Sequence, residues 1–179
     1  MTVNVTNAVC KSINFTNYTN TITFNNNITV SGNITLVTGV TYAGAITNGF
    51  VVNATSSITS NGVVFNHYFQ TITTSSTITF VDNFYASRVL ISIATVLNGS
   101  TLYIGENFTI NGNTSGTTNI ILNGTGTLGG NNTLKNNLTI NTSGTITLST
   151  ALNYDSGTLT YTAGTVVIVT GKQIGRAHV

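Results

Sequence analysis

The chain has 179 residues, of which 40% are hydrophobic and 4% are charged, and its formal net charge is +2 at pH 7. Because disorder requires low hydrophobicity and high net charge, this balance excludes a disordered segment and predicts a chain that buries a core. Five basic residues against three acidic ones form no basic patch, so we expect no binding to nucleic acid or to an anionic membrane surface.

The N-terminal segment lacks the basic region and apolar stretch of a signal peptide, so Met1 is either a true start or an internal methionine. Cys10 is the one cysteine, which excludes an internal disulfide and a thiolate metal cluster, and we expect it to be a small buried side chain. The most apolar segment, 89–97, is far shorter than the roughly 20 residues that a membrane-spanning helix needs.

Short segments in which apolar residues alternate with Thr or Asn recur along the whole chain. They begin at Thr21, Asn27, Asn33, Thr77, Asn107, Asn137, Thr145 and Thr158. This period of two predicts strands with one buried face, on which Ile22, Ile78, Ile110, Leu138 and Ile146 fill the interior. Asn-Gly and Ser-Gly pairs between the segments predict tight corners, and the absence of Pro leaves every strand free to donate its ladder hydrogen bonds.

Two loose internal matches pair the segment at Gly32 with that at Gly144, and the segment at Leu97 with that at Leu122. The offset from Leu97 to Leu122 fits one coil of a three-strand solenoid. The sequence therefore predicts an all-β fold, a parallel β-helix (solenoid), with an antiparallel β-sandwich as the alternative. Residues 82–99 also fit a helix capped by Asp82 and ended by Gly99, but their β-branched run favours strands.

The chain has three carboxylates, and they are Asp82, Glu106 and Asp155. The first two are separated by nearly one such offset and the last two by nearly twice that offset. A regular solenoid would therefore stack them for acid–base work or for Ca²⁺ binding. Each also fits a turn or a cap, and neither Arg88 nor Lys135 has a predictable neighbour that would complete an active site.

The other candidate motifs also have simpler structural explanations. His67 fits an ordinary strand residue better than a general base, and the Gly-rich segment at Gly124 lacks the Lys and the helix of a phosphate loop. The Thr-x-Thr units are spaced too unevenly to form an ice-binding rank. Thirteen Asn-x-Ser/Thr sequons follow from the alternation itself. We therefore predict no catalytic, cofactor-binding or metal-binding residues and no enzymatic activity.

Charge is concentrated at the end of the chain, where residues 171–179 contain Lys172, Arg176 and His178. The segment 174–179 resembles the direct translation of a common short-read sequencing adapter. We therefore expect residues 172–179 to be a non-native tail, and residues 1–171 to be a solenoid repeat block that is a fragment of a longer protein.

Residues 97–171, rich in Gly, Thr and Asn, resemble the β-strand repeats of bacterial surface adhesins and of phage or viral fibre proteins. The resemblance implies a right-handed parallel β-helix and an extracellular location, on a cell surface or a virion. It also implies a non-catalytic structural or adhesive role, with a surface glycan or host-cell receptor as the partner. We further expect self-association through an open solenoid edge. The alternative functions are a carbohydrate-active β-helix enzyme and a carbohydrate-binding module.

Overall fold

A computed structural model describes residues 1–72, 76–169 and 174–176, the last three as backbone only. Within these ranges the fold is all-β, and every strand pairing is parallel. The strands coil into a β-solenoid of about eight turns, which confirms the predicted fold class and excludes the antiparallel sandwich. Residues 82–99 form two strands separated by a corner, not a helix.

Each turn, here called a rung, passes through three faces, and the strands of successive rungs stack within each face. Face 1 contains β1 (Thr2–Val3), β4 (Ile22–Phe24), β7 (Tyr42–Gly44), β14 (Leu102–Ile104) and β17 (Ile120–Leu122). Face 2 contains β2 (Ala8–Cys10), β5 (Ile28–Val30), β8 (Gly49–Val52), β15 (Phe108–Ile110) and β18 (Gly126–Gly130). Four long strands run through both faces: β10 (Val64–Thr71), β12 (Phe84–Ile91), β20 (Leu138–Leu148) and β22 (Leu159–Ile168).

Face 3 contains the remaining strands. They are β3 (Ile13–Asn14), β6 (Ile34–Thr35), β9 (Ser56–Thr59), β11 (Ser76–Phe80), β13 (Thr95–Gly99), β16 (Thr114–Ser115), β19 (Thr133–Leu134), β21 (Leu152–Tyr154) and β23 (Ile174–Arg176). Face 2 and most of face 1 form one 11-stranded sheet, whereas face 3 divides into a 6-stranded and a 3-stranded sheet. The predicted tail lies outside the described residues except for the backbone of β23, which pairs with β21.

The coil length varies from rung to rung. The coil that brings Leu102 opposite Phe84 is shorter than the coil that brings Ile58 opposite Ile34. The coil length expected from internal similarity was wrong, because that match aligned Leu97 on face 3 with Leu122 on face 1. All three faces share the same alternation, so a segment of one face resembles a segment of another.

The interior is a continuous apolar column. All five predicted interior residues are fully buried, as the alternation requires. Seven of the eight buried phenylalanines lie in the first part of this column, before β14, where Phe50 and Phe65 stack with their ring centroids 4.8 Å apart. Leu and Ile replace most of them from β14 onward. Burial of each such side chain stabilises the fold by about 1.5–3 kcal/mol, and the column provides the core that the composition predicted.

Candidate functional site

Asp82 lies at the corner that follows β11, between faces 3 and 1. Its two carboxylate oxygens accept the backbone N–H groups of Ser60 (2.6 Å) and Asn61 (2.7 Å) in the preceding rung. The Ser60 hydroxyl in turn donates to the carbonyl of Asn83 at 2.7 Å. Hydrogen bonds to a charged acceptor are among the stronger ones in proteins, so Asp82 clamps two successive corners together.

Glu106 and Asp155 each form an ion pair. Glu106 lies between faces 1 and 2, where its Oε2 accepts a hydrogen bond from Arg88 Nε at 2.8 Å. Asp155 follows β21, and its Oδ2 lies 3.2 Å from Lys135 Nζ. All four side chains are about one third exposed or more, so each pair stabilises the fold by at most about 1 kcal/mol. Arg88 and Lys135 thus have the neighbours that the sequence did not reveal.

The three carboxylates do not come together. Glu106 lies at a different corner from the other two. Asp82 and Asp155 both lie at corners between faces 3 and 1, but in different rungs. The strands that precede them, β11 and β21, are four strands apart on face 3, which corresponds to about 19 Å at the usual strand spacing. No group of three or more His, Cys, Asp or Glu side chains within the described residues could hold a metal ion. The stacked arrangement that would serve acid–base chemistry is therefore not formed.

His67 is buried inside the solenoid, whereas Cys10 is half-buried in the first rung. His67 is 3% exposed, its Nδ1 lies 3.3 Å from the Ala45 carbonyl, and its ring contacts Phe24 and Phe65. Cys10 is half-buried opposite Val30, and burial raises the pKa of its thiol. His67 is the ordinary strand residue that the sequence predicted, whereas Cys10 is only partly buried and thus less enclosed than predicted.

The Gly-rich segment at Gly124 contains β18, a strand of face 2. A Cβ at Gly124 would collide with the backbone of Gly105, and one at Gly126 would collide with the backbone of Glu106. The glycines therefore allow successive rungs to approach closely. They do not form the strand–loop–helix arrangement that binds phosphate.

Asparagine side chains join successive rungs at the corners. Within the described ranges, backbone N–H groups of the following rung donate to the Oδ1 atoms of Asn27, Asn33, Asn83, Asn98, Asn107, Asn113 and Asn137, at 2.9–3.3 Å. All but Asn83 belong to sequons. The sequon excess therefore has a second structural cause besides alternation, because the amide satisfies a corner N–H that no ladder partner reaches.

The outer surface of face 1 carries an aromatic pair that sequence reasoning missed. Tyr85 and Tyr103 lie opposite each other in β12 and β14, with ring centroids 4.3 Å apart and ring planes 8° apart. Burial, and then repulsion from and hydrogen bonding to the Tyr103 hydroxyl, raise the pKa of Tyr85. The sequence shows only that each of these two strands has a Tyr at an outward position. Whether the two rings lie opposite each other depends on the length of the coil between β12 and β14, which the sequence does not give.

Comparison with family models, with curated proteins and with solved structures finds no significant match to this chain. Within the described residues there is no helix with the length and hydrophobicity needed to cross a membrane. The function of the chain is therefore inferred from its own residues.

Proposed function

We propose that this chain is a non-catalytic structural and adhesive segment of an extracellular β-solenoid protein, of the bacterial surface-adhesin or virion-fibre type. The observation that carries the proposal is the use of the three carboxylates, which clamp corners or pair with Arg88 and Lys135 instead of converging on one site. Catalysis by an acid and a base requires two titratable groups at one site.

The exterior supports an adhesive shaft. Outward positions of face 3 carry Thr35, Ser57, Thr77, Thr79 and Ser115, all partly exposed. Such neutral groups hydrate the surface and offer hydroxyl donors and acceptors without imposing a charge on the partner. A surface glycan or a host-cell receptor is therefore the proposed partner.

Self-association is proposed through the edge formed by β22. This strand pairs with β20 on one side, and its Leu159, Tyr161 and Ile168 are 41%, 58% and 56% exposed. Their ladder partners in β20 are buried, so these three side chains lie at the inward-facing positions of the strand even though they are exposed. An exposed strand edge with apolar side chains is a template for another strand, and a second copy of the chain supplies one.

Two measurements test the proposal. We expect no release of reducing ends from a panel of neutral and acidic polysaccharides, whereas turnover that disappears in Asp82→Asn would establish the carbohydrate-active enzyme instead. We expect the sedimentation coefficient to rise with protein concentration, and Tyr161→Lys, which places a charge on the edge, to weaken this association. A wild-type chain that remains monomeric at high concentration would refute the open-edge interaction.

A further inference from the structure

The outer surface of face 1 contains an apolar stripe that crosses four rungs. Register places Val64 opposite Tyr85, Tyr85 opposite Tyr103, and Tyr103 opposite Ile121. The next residue in this rank is Thr139, which is polar. Contiguous apolar groups on the surface of a polar solenoid indicate a contact surface more often than isolated ones do.

One face of the Tyr85 ring borders a pocket. Tyr103 covers the opposite face of the ring at a centroid distance of 4.3 Å. On the pocket side the ladder neighbour is Val64, which is much shorter than a tyrosine and is 55% exposed. The resulting pocket has a volume of about 330 Å³ and is lined by Ser60, Gly62, Val64, Asp82, Asn83 and Tyr85.

Polar groups at this pocket are held in place by the corner contacts. Asp82 accepts two backbone N–H groups, and a carboxylate has about four acceptor positions, so it can accept further hydrogen bonds from a ligand. Asn83 Oδ1 accepts the Thr101 N–H at 3.3 Å, which orients the side-chain amide. Because this side chain is exposed, its Nδ2 group can donate to a ligand. The pocket thus combines a ring face, an acceptor and a donor that are fixed before a ligand binds.

A second pocket continues the groove toward β7. Its volume is about 300 Å³, it shares Gly62 and Val64 with the first, and it also includes Tyr42 and Asn66. Neither set of lining residues contains Lys, Arg or His. The two pockets together form a neutral to acidic groove, in which the Tyr85 ring lies on the outer surface and the Tyr42 ring packs inward against Phe15 and Phe65.

We propose that this groove binds a neutral oligosaccharide of at least two sugar units. An aromatic ring provides a flat apolar surface for the C–H face of a pyranose, while Asp82 and Asn83 accept from and donate to its hydroxyl groups. The Asp82 charge and the absence of a lining cation disfavour uronic acids and sulfated sugars. The inference rests on the adhesive role proposed above, and it specifies the ligand class and the surface that recognises it.

Titration calorimetry of the full chain with neutral tetrasaccharides of glucose, galactose, mannose and N-acetylglucosamine, and with tetragalacturonate, tests the site. We expect at least one neutral sugar to bind and tetragalacturonate not to bind. Val64→Tyr extends the tyrosine stack over the exposed ring face, and we expect it to weaken binding at least about tenfold, as loss of one good stacking contact would. Thr139→Tyr is the matched control, because it adds a tyrosine to the same rank at a position that lines neither pocket.

Tyr85→Ala is expected to weaken binding to a similar degree, and circular dichroism reports whether each variant remains folded. If wild-type and Val64→Tyr chains bind a neutral sugar equally well, this groove is not the site, although adhesion to glycans stands. If tetragalacturonate binds as tightly as the neutral sugars, the ligand class is wrong. If no sugar binds, the groove assignment fails, while the structural role is judged separately by the sedimentation and turnover measurements.

Discussion

Replacement of Phe65 by Ala tests most directly how the solenoid is held together. Phe65 lies in β10 and is fully buried. Its ring centroid lies within 4.8–6.0 Å of the rings of Phe24, Tyr42, Phe50, His67 and Phe84. Most of these neighbours belong to the strands before and after β10, so one side chain joins several rungs.

The expected loss in the free energy of unfolding is about 4–5 kcal/mol. Truncation of a buried Phe to Ala costs about 3–5 kcal/mol, and each lost aromatic pair adds roughly 0.5–1.5 kcal/mol, which places Phe65 at the upper end of the range. Val64→Ala is the matched control, because Val64 precedes Phe65 in the same strand but is 55% exposed. Its truncation is expected to cost less than about 1 kcal/mol.

Urea denaturation measured by far-UV circular dichroism and by tyrosine fluorescence gives both values. Coincident transitions from the two probes are required, because a stacked array can lose cooperativity and then has no single free energy of unfolding. A Phe65→Ala chain within about 1 kcal/mol of Val64→Ala would refute the claim that the aromatic column stabilises the solenoid.

Three further predictions concern the corners and the interior. Gly124→Ala is expected to lower the free energy of unfolding, measured by urea denaturation, by about 1–3 kcal/mol, because the added Cβ meets the Gly105 backbone. Gly105→Ala is the control and should be close to neutral, because its Cβ meets nothing nearer than 3.8 Å. Equal effects of the two substitutions would contradict the close approach of rungs. Asp82→Ala should lower the free energy of unfolding by about 1–3 kcal/mol, and Asp82→Asn should lower it less, because Asn retains one acceptor oxygen for the Ser60 and Asn61 N–H groups. An unchanged urea midpoint would show that the hydrogen bonds of Asp82 to the preceding corner do not stabilise the fold. Because burial raises the pKa of Cys10, its rate of alkylation by iodoacetamide should reach half its maximum at a higher pH in the folded chain than in the urea-unfolded chain, and the reverse order would show that the thiol is not buried.

Local alternation predicted which residues face inward. Ile22, Ile78, Ile110, Leu138 and Ile146 are all buried because a strand places successive side chains on opposite faces, a rule that needs no knowledge of neighbouring strands. The β-branched residues of 82–99 likewise favoured strands over a helix there, and the structure has two strands.

Relations between rungs were beyond this rule. The coil length changes along the solenoid because corners of different lengths separate the strands, so no fixed offset aligns one rung with the next. The Tyr85–Tyr103 stack depends on that register and was not predicted. The turn or cap role expected for Asp82 needed only local sequence, and its carboxylate does bind corner N–H groups.

The alternation places Thr at outward positions of the strands, yet several Thr and Ser side chains face inward on face 3. Ser76, Thr95 and Thr114 are at most 3% exposed. The Thr95 hydroxyl donates to the Ile93 carbonyl at 2.7 Å and lies 3.0 Å from the Thr71 hydroxyl, so its polarity is satisfied inside the column. Hydroxyl groups small enough to fit the interior and able to bond to a nearby carbonyl are not distinguished from surface groups by sequence alone.

The asparagine contacts at the corners have a fixed direction along the chain, which bears on how the solenoid folds during synthesis. In each of these contacts the amide oxygen of an earlier residue accepts an N–H group of a later one, as Asn107 does for Thr127 and Asn137 for Thr158. A ribosome adding about 5–20 residues per second delivers a coil of this size every one to four seconds or so. Each newly synthesised coil therefore meets a finished template whose acceptors already face it, and vectorial synthesis can guide the winding of the chain without a separate nucleus for every turn.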